Sequence, residues 1–320
     1  MGGGERSIQN LSLPKEGIEF FSTKWGITQL HPPQFEAMEP LFQNDNILLA
    51  IPTASGKSLV AYIGILNQLL NVNPGSRAVY IVPLKALASE KFGELKEIGQ
   101  HLGLNIGLGI GDATSEAKNI DDSDILICTS EKLDSLMRTR SELMSNVSIV
   151  VADEFHLLHD GSRGPTLEIN LTRLRTLRPN AQLIALSATV GNCDVLAKWL
   201  DATLIQSDWR PVDLEYATLH DRHLEPRKIQ SSSLDSSQQA LSPPRHLEGP
   251  LSHPSWIVVQ DTIEQGGQVL VFVGTRRSAQ SEAKKLSERV KKRFAKDQPE
   301  RLVELEQLAE SLEGRNQTSM

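Results

Sequence analysis

The sequence predicts an α/β protein built on a doubly wound parallel sheet. Short apolar runs alternate with segments of helical spacing between residues 46 and 200. The runs are almost continuously apolar, as expected of strands that are buried on both faces. A polar stretch rich in Ser and Pro at 221–254 then interrupts the pattern, and it predicts a linker or a disordered loop.

Each element of this pattern can be assigned in chain order. Strands are predicted at 46–51, 78–82, 124–128, 147–152 and 182–186, with helices at 58–70 and 84–102 among them. After the linker, the pattern predicts a helix at 256–263, a buried strand at 267–273, and helices at 276–294 and 302–312. We therefore expect a first domain at 1–205, a connecting strand and linker at 206–254, and the incomplete start of a second domain at 255–320.

Composition narrows the class of protein. The 320 residues are 39% hydrophobic and 23% charged, which is typical of a globular protein with a substantial core. The net charge of −7 means that any nucleic acid would have to bind in a local groove, since the overall field is repulsive. Two cysteines cannot form a disulfide framework and fit a reducing cytoplasm. Neither a secretory signal nor an apolar run of membrane-spanning length is present, so no membrane is expected as a partner.

A phosphate-binding loop is indicated between the first predicted strand and the helix that follows it. Backbone N–H groups of such a loop and of the helix N-terminus converge on phosphate oxygens. The Lys57 ammonium would reach the β- and γ-phosphates, and the Ser58 hydroxyl would bind Mg²⁺, which predicts ATP and Mg²⁺ as cofactors. The general pattern has Gly where Ile51 stands, so an ordinary Gly-Lys-Ser turn is the alternative. The predicted loop consists of Ile51, Pro52, Thr53, Ala54, Ser55, Gly56, Lys57 and Ser58.

A second motif follows directly on the apolar strand that ends at Ala152. It reads Asp-Glu-Phe-His and spans residues 153–156. Asp153, at the carboxyl end of a strand, suits Mg²⁺ binding, and Glu154 suits a base that orients the attacking water. Together with Lys57 these two carboxylates form the predicted catalytic set.

These two motifs and several others resemble, in content and order, those of superfamily 2 helicases of the Asp-Glu-x-His type. Arg163-Gly-Pro-Thr-Leu-Glu168 and Trp209-Arg-Pro-Val212 resemble the superkiller-type group, and within it the archaeal DNA-repair branch. The resemblance covers residues 20–294 apart from the polar loop. It implies a P-loop RecA-like ATP-binding domain followed by the start of a second RecA-like domain.

The resemblance also implies further site residues. Gln34 sits where this group reads adenine, because a side-chain amide can pair with both a donor and an acceptor of the base. His156 and the run Ser187, Ala188 and Thr189 would couple the state of ATP to the strand-binding groove. Contacts to the nucleic-acid strand are expected from Pro83, Lys85, Thr129, Glu131, Lys132, Thr275 and Arg276.

The sequence departs from this family in its second domain. Its motif at 271–277 resembles the first motif of that domain, but the later motifs, which supply an arginine to the γ-phosphate, are not found. Such an arginine is worth about 10³–10⁵ in turnover. We therefore expect the chain to bind ATP, to hydrolyse it slowly, and not to unwind a duplex. A fragment of a longer helicase, an early-terminated gene product and half of a split enzyme all remain open.

The expected function is that of an ATP-dependent DNA helicase core. It would use Mg-ATP hydrolysis to move on single-stranded or forked DNA in the cytoplasm, as a monomer unless completed in trans. Two alternatives remain open at this stage. One is a non-catalytic module that binds ATP and nucleic acid, and the other is an RNA helicase, because contacts to phosphates do not report the sugar.

Overall fold

The chain packs as two units, residues 1–213 and residues 214–320. The computed structural model describes residues 6–111, 117–118, 120–227, 242–297 and 299–317. Among these described residues, no helix is both long enough and apolar enough to cross a membrane. The two units are described one after the other.

An eight-stranded sheet forms the centre of the first unit. Its strand order is β4-β3-β5-β2-β6-β7-β1-β8. Every pairing is parallel except that of β3 with β4. The predicted parallel sheet is therefore confirmed. The strands are β1 (Asn46–Ala50), β2 (Arg77–Val82), β3 (Ile106–Gly109), β4 (Ala117–Lys118), β5 (Ile125–Thr129), β6 (Val147–Ala152), β7 (Gln182–Ser187) and β8 (Ala202–Gln206).

Helices cover both faces of this sheet, which makes it doubly wound as predicted. Alternate strand residues enter two separate cores: Ile47 and Leu49 of β1 pack in one, and Leu48 and Ala50 in the other. The first core includes α4 and α5, and the second includes α6, α7 and α8. The helices are α1 (Lys15–Glu19), α2 (Pro32–Glu36), α3 (Met38–Phe42), α4 (Lys57–Leu66), α5 (Lys85–Leu102), α6 (Ser130–Thr139), α7 (Gly164–Leu177) and α8 (Cys193–Leu200).

Short turns of other helical types complete the first unit. Within the described part of this unit, Ile8–Asn10, Ser141–Met144 and Phe155–His159 are 3₁₀-helices. Phe20–Lys24 and Asn67–Val72 are π-helical, and the second of these extends α4. The helix predicted at 58–70 is thus α-helical only as far as Leu66. The predicted strands at 78–82, 124–128 and 182–186 each extend or shift by one residue, within the usual uncertainty of element ends.

The second unit contains a small antiparallel sheet and three helices. Strands β9 (Tyr216–His220), β10 (His223–Arg227) and β11 (Arg245–His246) pair in the order β11-β10-β9. They are followed by α9 (Pro254–Glu264), α10 (Arg276–Asp297) and α11 (Pro299–Gln317). The linker prediction for 221–254 was therefore wrong for β10 and β11. Along β10, exposed and half-buried residues alternate, as expected of a strand with two different faces. Residues 228–241 of that prediction lie outside the described residues.

The prediction of a strand at 267–273 was wrong. The structure has no strand there, and Leu270 and Phe272 are 77% and 84% exposed. The run has the composition of a buried parallel strand, but such a strand forms only when a neighbouring strand satisfies its backbone groups. None of the described strands of this unit pairs with it. The helix predicted at 276–294 is present as α10.

Candidate active site

The sheet order brings five predicted motifs to one edge. Strands β5, β2, β6, β7 and β1 are consecutive neighbours, and each is followed directly by one motif. Because parallel strands end at the same edge, the loops after them lie side by side, as ligand sites do in open α/β sheets. Thr129 ends β5 and pairs with Val82 of β2. The candidate site therefore runs across the carboxyl ends of these five strands.

The loop after β1 turns back on itself before α4 begins. Ala54 and Gly56 both have positive φ values, 65° and 74°. Glycine adopts this left-handed conformation without strain, and it lets the first turn of α4 start directly at Lys57. Ser55 is buried within the loop, and its hydroxyl donates to the Trp209 carbonyl oxygen at 3.3 Å. The turn thus presents a helix N-terminus toward the carboxyl edge of the sheet.

Lys57 is held inside this loop. Its Nζ donates to the carbonyl oxygens of Ile51 at 3.2 Å and Pro52 at 3.5 Å, and the residue is only 8% exposed. Burial lowers the pKa of Lys57, and the negative charges of Glu154 and Asp153 oppose that shift. The ammonium therefore lies in the field of both carboxylates, although Lys57 follows β1 and the two carboxylates follow β6.

Gln34 joins α2 to the same loop. Its Oε1 accepts from the His31 backbone nitrogen at 2.8 Å, and its Nε2 donates to the carbonyl oxygens of Ser55 at 3.3 Å and Gly56 at 2.9 Å. At the start of α2, Pro32 and Pro33 have no backbone N–H. The donor that the Gln34 side chain satisfies is the backbone N–H of His31, as in a capping box. The side-chain amide therefore connects one helix N-terminus to the loop that precedes another.

Asp153 lies directly after β6 with both of its carboxylate oxygens bonded. Oδ2 accepts from the Tyr80 hydroxyl at 2.9 Å, and Oδ1 accepts from the Glu154 backbone nitrogen at 2.8 Å. Burial raises the pKa of Asp153, and these hydrogen bonds oppose the shift. Burial also raises the pKa of Tyr80 well above its usual range, so Tyr80 is a phenol and donates. Glu154, whose φ is +50°, then turns the chain into the 3₁₀-helix Phe155–His159.

The groups expected to bind magnesium lie near one pair of buried phenols. The Tyr80 hydroxyl donates to Asp153. Burial raises the pKa of Tyr62 and of Tyr80, and Ser58 lies close enough to both hydroxyls to oppose that rise. Ser58, on the first turn of α4, and Asp153, after β6, are therefore neighbours. A hydroxyl and one carboxylate suit Mg²⁺, which takes few protein ligands and keeps water and phosphate oxygens around it. The residues present fit the ion.

His156 lies between two of the strand-end motifs. Its Nδ1 is 3.3 Å from Glu154 Oε2 and 3.5 Å from the Ala188 backbone nitrogen. One nitrogen can accept from the Ala188 N–H or, when protonated, donate to the carboxylate, but it cannot do both. The buried Ser187 hydroxyl donates to the Ala188 carbonyl oxygen at 2.8 Å, and Thr189 is exposed. The imidazole therefore bridges the motif after β6 and the motif after β7.

The candidate strand-binding residues lie on the other half of the same edge. Pro83 and Lys85 follow β2, and α5 begins at Lys85. Thr129 caps α6, because its Oγ1 accepts from the Lys132 backbone nitrogen at 3.4 Å, and Glu131 is exposed on the first turn. A small, partly open cavity lies between these residues and the carboxylates, and both groups line it. It is lined by Ile81, Val82, Pro83, Ser130, Glu131, Asp153, Glu154, Leu157, Arg163 and Leu167.

The comparison with known families agrees with this arrangement. Residues 31–196, more than half of the chain, match the family described as DEAD/DEAH box helicase. The chain belongs to this helicase family. The match spans the predicted sites from Gln34 to Thr189, and it confirms the resemblance to superfamily 2 helicases.

Individual relatives are longer than this chain. It is 40% identical over 305 residues to the ATP-dependent DNA helicase Hel308 of Methanocella arvoryzae, covering 94% of this chain and 39% of that protein. It is 43% identical over 284 residues to the Hel308 of Thermococcus kodakarensis, covering 88% of this chain and 23% of that protein. The chain thus spans less than half the length of either relative.

A solved structure shows the same fold. The DUF1998 helicase MrfA, crystallised with DNA, matches with a TM-score of 0.53 and 24% identity, over 62% of this chain and 30% of that one. At this level of identity the likeness concerns the fold alone. It agrees with the doubly wound sheet described above.

Two predicted strand contacts lie in the second unit. Thr275 precedes α10, and its Oγ1 accepts from the Ser278 backbone nitrogen at 3.1 Å, as an N-cap does. Arg276 is the first residue of α10, and its side chain is exposed. These two residues belong to the segment that begins after the exposed apolar run, and their contact with a strand remains a prediction.

Sequence reasoning missed two kinds of residue at this site. The ring centroids of His31 and Trp209 lie 4.5 Å apart beside the loop after β1, but sequence reasoning assigned His31 no role and used Trp209 only as part of a family motif. Tyr80 was assigned to an apolar strand without a role. A polar-tipped side chain within a run of Ala and Val was the available signal, because a buried hydroxyl requires a partner.

Proposed function

We propose that this chain binds Mg-ATP and hydrolyses it to drive movement on single-stranded DNA, as the ATP-binding part of a DNA helicase. The observation that carries the proposal is the placement of Lys57 in the field of Asp153 and Glu154, with β7 lying between their two strands. The relatives named as ATP-dependent DNA helicases support the same reading.

Nucleotide binding would rearrange the loop from Ile51 to Ser58. Lys57 now bonds two carbonyl oxygens of its own loop. Phosphate oxygens are anionic and bind an ammonium more strongly than carbonyl oxygens do, so the β- and γ-phosphates would displace these contacts. Pro52, Thr53, Ala54, Ser55 and Gly56 would then contribute loop backbone around the phosphates. Gln34 lies against this loop and would read the adenine edge.

Asp153 and Ser58 would hold magnesium between the protein and the phosphates. When bound, Mg²⁺ supplies positive charge where negative charge develops during phosphoryl transfer. The chain's own part is to hold the two groups in place: the Asp153 carboxylate accepts from the Tyr80 hydroxyl, and Ser58 is fixed on the first turn of α4. Burial of Asp153 keeps bulk water from competing for its carboxylate.

Glu154 would act as the base. Its side chain is 29% exposed, and its Oε2 lies 3.3 Å from His156 Nδ1. A carboxylate in this position can accept a hydrogen bond from water and take its proton during attack on the γ-phosphate. The left-handed backbone at Glu154 separates the extended run of β6 from the 3₁₀-helix Phe155–His159.

Coupling to the strand would pass along the same edge. His156 connects the motif after β6 to Ala188, and β7 lies beside β1 and the phosphate loop. If Glu154 moves when ATP binds or is hydrolysed, the His156 imidazole can pass that change to Ser187, Ala188 and Thr189. Coupling requires such a contact, whose bonding differs between the ATP-bound state and the state after hydrolysis.

The strand itself would lie across Pro83, Lys85, Thr129, Glu131 and Lys132. These residues end or follow β2 and β5, next to the carboxylates, and backbone N–H groups at the starts of α5 and α6 can bond phosphate oxygens. Thr275 and Arg276 would add contacts from the second unit. We propose single-stranded or forked DNA as the substrate, a monomer as the working form and the cytoplasm as its location.

A linkage experiment tests this function without relying on turnover. A labelled single-stranded DNA oligonucleotide would be titrated with the chain, with and without a non-hydrolysable ATP analogue and Mg²⁺. If ATP and strand are coupled, the analogue changes DNA affinity by about 5- to 150-fold. An RNA oligonucleotide of the same sequence gives the sugar preference, and Lys57→Ala is the control that should remove the coupling.

The outcomes are separable. DNA affinity that responds to the analogue in wild type but not in Lys57→Ala supports the proposal. An unchanged DNA affinity, with the analogue shown to bind, contradicts coupling. Tighter binding and stronger coupling with RNA would replace DNA by RNA as the substrate. ATP turnover measured on the same preparation, with and without DNA, then separates an ATPase from a binding module.

A further inference from the structure

A group of polar side chains is buried beneath the nucleotide loop, between the sheet and helices α4 and α5. It differs from the site above because none of its central members is a predicted site residue. Tyr62 of α4 and Tyr80 of β2 lie at its centre, with ring centroids 6.2 Å apart. We refer to them as the buried tyrosine pair. The side chains around this pair are Ser58, Lys91, Glu94 and Asp153.

The two phenols of the pair have different partners. The Tyr80 hydroxyl donates to Asp153 Oδ2 at 2.9 Å. The Tyr62 hydroxyl bonds Glu94 on α5, which also pairs with the Lys91 ammonium at 3.1 Å. The residues Tyr80 and Tyr62 are 0% and 2% exposed. The pair therefore offers the same chemical group twice, once on the candidate metal ligand and once away from it.

The contact of Tyr80 with Asp153 has a directional consequence. One carboxylate oxygen is fixed by the phenol and the other by the Glu154 backbone nitrogen. A carboxylate held at both oxygens cannot rotate freely about its terminal bond, and its remaining lone pairs keep one direction. Groups that orient a metal ligand through hydrogen bonds change metal affinity as strongly as many ligands do.

A purely structural explanation of Tyr80 accounts for less of the geometry. Phenylalanine would fill the same space in the core, and it would not require a polar partner in an otherwise apolar strand. The hydroxyl instead donates to Asp153, which follows a different strand. Asp153 is one of the two side chains that the proposed function assigns to magnesium.

We propose that Tyr80 is a positioning residue for magnesium: from beneath the loop, its hydroxyl sets the direction of the Asp153 carboxylate. This inference rests on the proposed function, since it assumes that the two groups bind Mg-nucleotide. It assigns to Tyr80 no contact with substrate. Tyr62 has no such role and contributes to packing and to the link between α4 and α5.

The test compares Tyr80→Phe with Tyr62→Phe, each of which removes one buried hydroxyl and keeps the ring. ADP would be titrated into the full chain by calorimetry, once with Mg²⁺ and once with EDTA. The ratio of the two dissociation constants isolates the contribution of the metal. We expect Tyr80→Phe to reduce this ratio by about tenfold or more, while ADP affinity in EDTA stays within about twofold of wild type.

Additional readouts distinguish positioning from folding. A higher Mg²⁺ concentration should restore ADP affinity in Tyr80→Phe, whereas a misfolded loop would not respond. Thermal unfolding followed by circular dichroism should show that both variants are folded. Tyr62→Phe should keep the wild-type metal ratio even if it unfolds at a lower temperature.

Three results would be decisive. An unchanged metal ratio in Tyr80→Phe overturns the inference, and so does an equal loss of that ratio in Tyr62→Phe, because the effect would then not depend on the bond to Asp153. A wild-type chain whose ADP affinity ignores Mg²⁺ would instead remove the proposed metal site itself. The variants therefore test the inference, whereas the wild-type chain tests the proposed metal site, so the two failures can be told apart.

Discussion

The side-chain amide of Gln34 donates to the Gly56 carbonyl oxygen at 2.9 Å and occupies the space that a β-carbon on residue 56 would need. Gly56 also has a φ of +74°, where a residue with a β-carbon is strained by about 1–2 kcal/mol. We therefore expect Gly56→Ala to displace Gln34 and to deform the loop. ADP affinity measured by calorimetry should fall at least about tenfold, and the unfolding temperature should drop.

Gly93 provides the matched control for that substitution. It lies within α5, and a β-carbon built there meets nothing within 4 Å. Alanine is favoured over glycine in a helix by about 0.5–1 kcal/mol, so Gly93→Ala should unfold at an equal or higher temperature and bind ADP as wild type does. Wild-type ADP affinity in Gly56→Ala would show that the Gln34 contact does not shape the loop.

Lys57→Ala should abolish tight ATP binding and leave the fold intact. Lys57 lies at the end of its loop and donates to carbonyl oxygens of that loop, so its removal breaks no contact within the hydrophobic core. A hydrogen bond to a charged group is worth about 1.5–3 kcal/mol, or about ten- to hundredfold in affinity. Calorimetric titration with Mg-ATP measures the loss, and Lys96→Ala, on the exposed face of α5, is the control for removing a lysine. Equal affinities in wild type and Lys57→Ala would rule out the phosphate-loop assignment.

Glu154→Gln should preserve nucleotide binding while hydrolysis falls sharply. The amide keeps the size of the side chain, and it can still contact His156, but it cannot accept a proton from water. General-base catalysis contributes about 10²–10⁴-fold in rate, and we expect a loss of that order in phosphate release. Nucleotide affinity of the same preparation serves as the internal control. If phosphate release were unchanged, another group would be the base.

His156→Ala should separate nucleotide binding from its effect on the strand. The imidazole connects the motif after β6 to the Ala188 backbone nitrogen, so its loss removes the bridge without touching Lys57 or Asp153. ATP-analogue affinity should stay near wild type, while the effect of the analogue on DNA affinity should disappear. His159→Ala is the control from the same 3₁₀-helix, because His159 contacts Asn192 instead. Wild-type coupling in His156→Ala would exclude the bridge.

The position of the site in the fold was easier to predict than the hydrogen bonds that hold its side chains in place. The loop before Lys57 and the carboxylates after Ala152 each follow an apolar strand, and local order along the chain suffices to place such motifs at one sheet edge. The bond between Tyr80 and Asp153 joins residues that are 73 positions apart. No local pattern marks it, because either phenylalanine or tyrosine satisfies the apolar period of β2.

The same limit explains the strand that failed to appear at 267–273. Composition reports that a segment can form a buried strand, but pairing depends on a partner elsewhere in the chain. The polar stretch at 221–254 failed in the opposite direction, since β10 pairs with β9 through backbone groups that polar side chains do not prevent. Composition reports neither kind of partner: none of the described strands pairs with 267–273, whereas β10 pairs with β9 across a short turn, with His223 opposite His220.

The left-handed backbone of Glu154 has a consequence for how this protein can change. Most residues with a β-carbon are strained by about 1–2 kcal/mol at this φ of +50°. Gly adopts it without strain, and Asn tolerates it because its short polar side chain can bond locally. A library randomised at this position and selected only for survival of heating should therefore enrich Gly and Asn. These variants would lack the proposed base. A screen that selects only for thermal stability would therefore favour a more stable protein that no longer hydrolyses ATP.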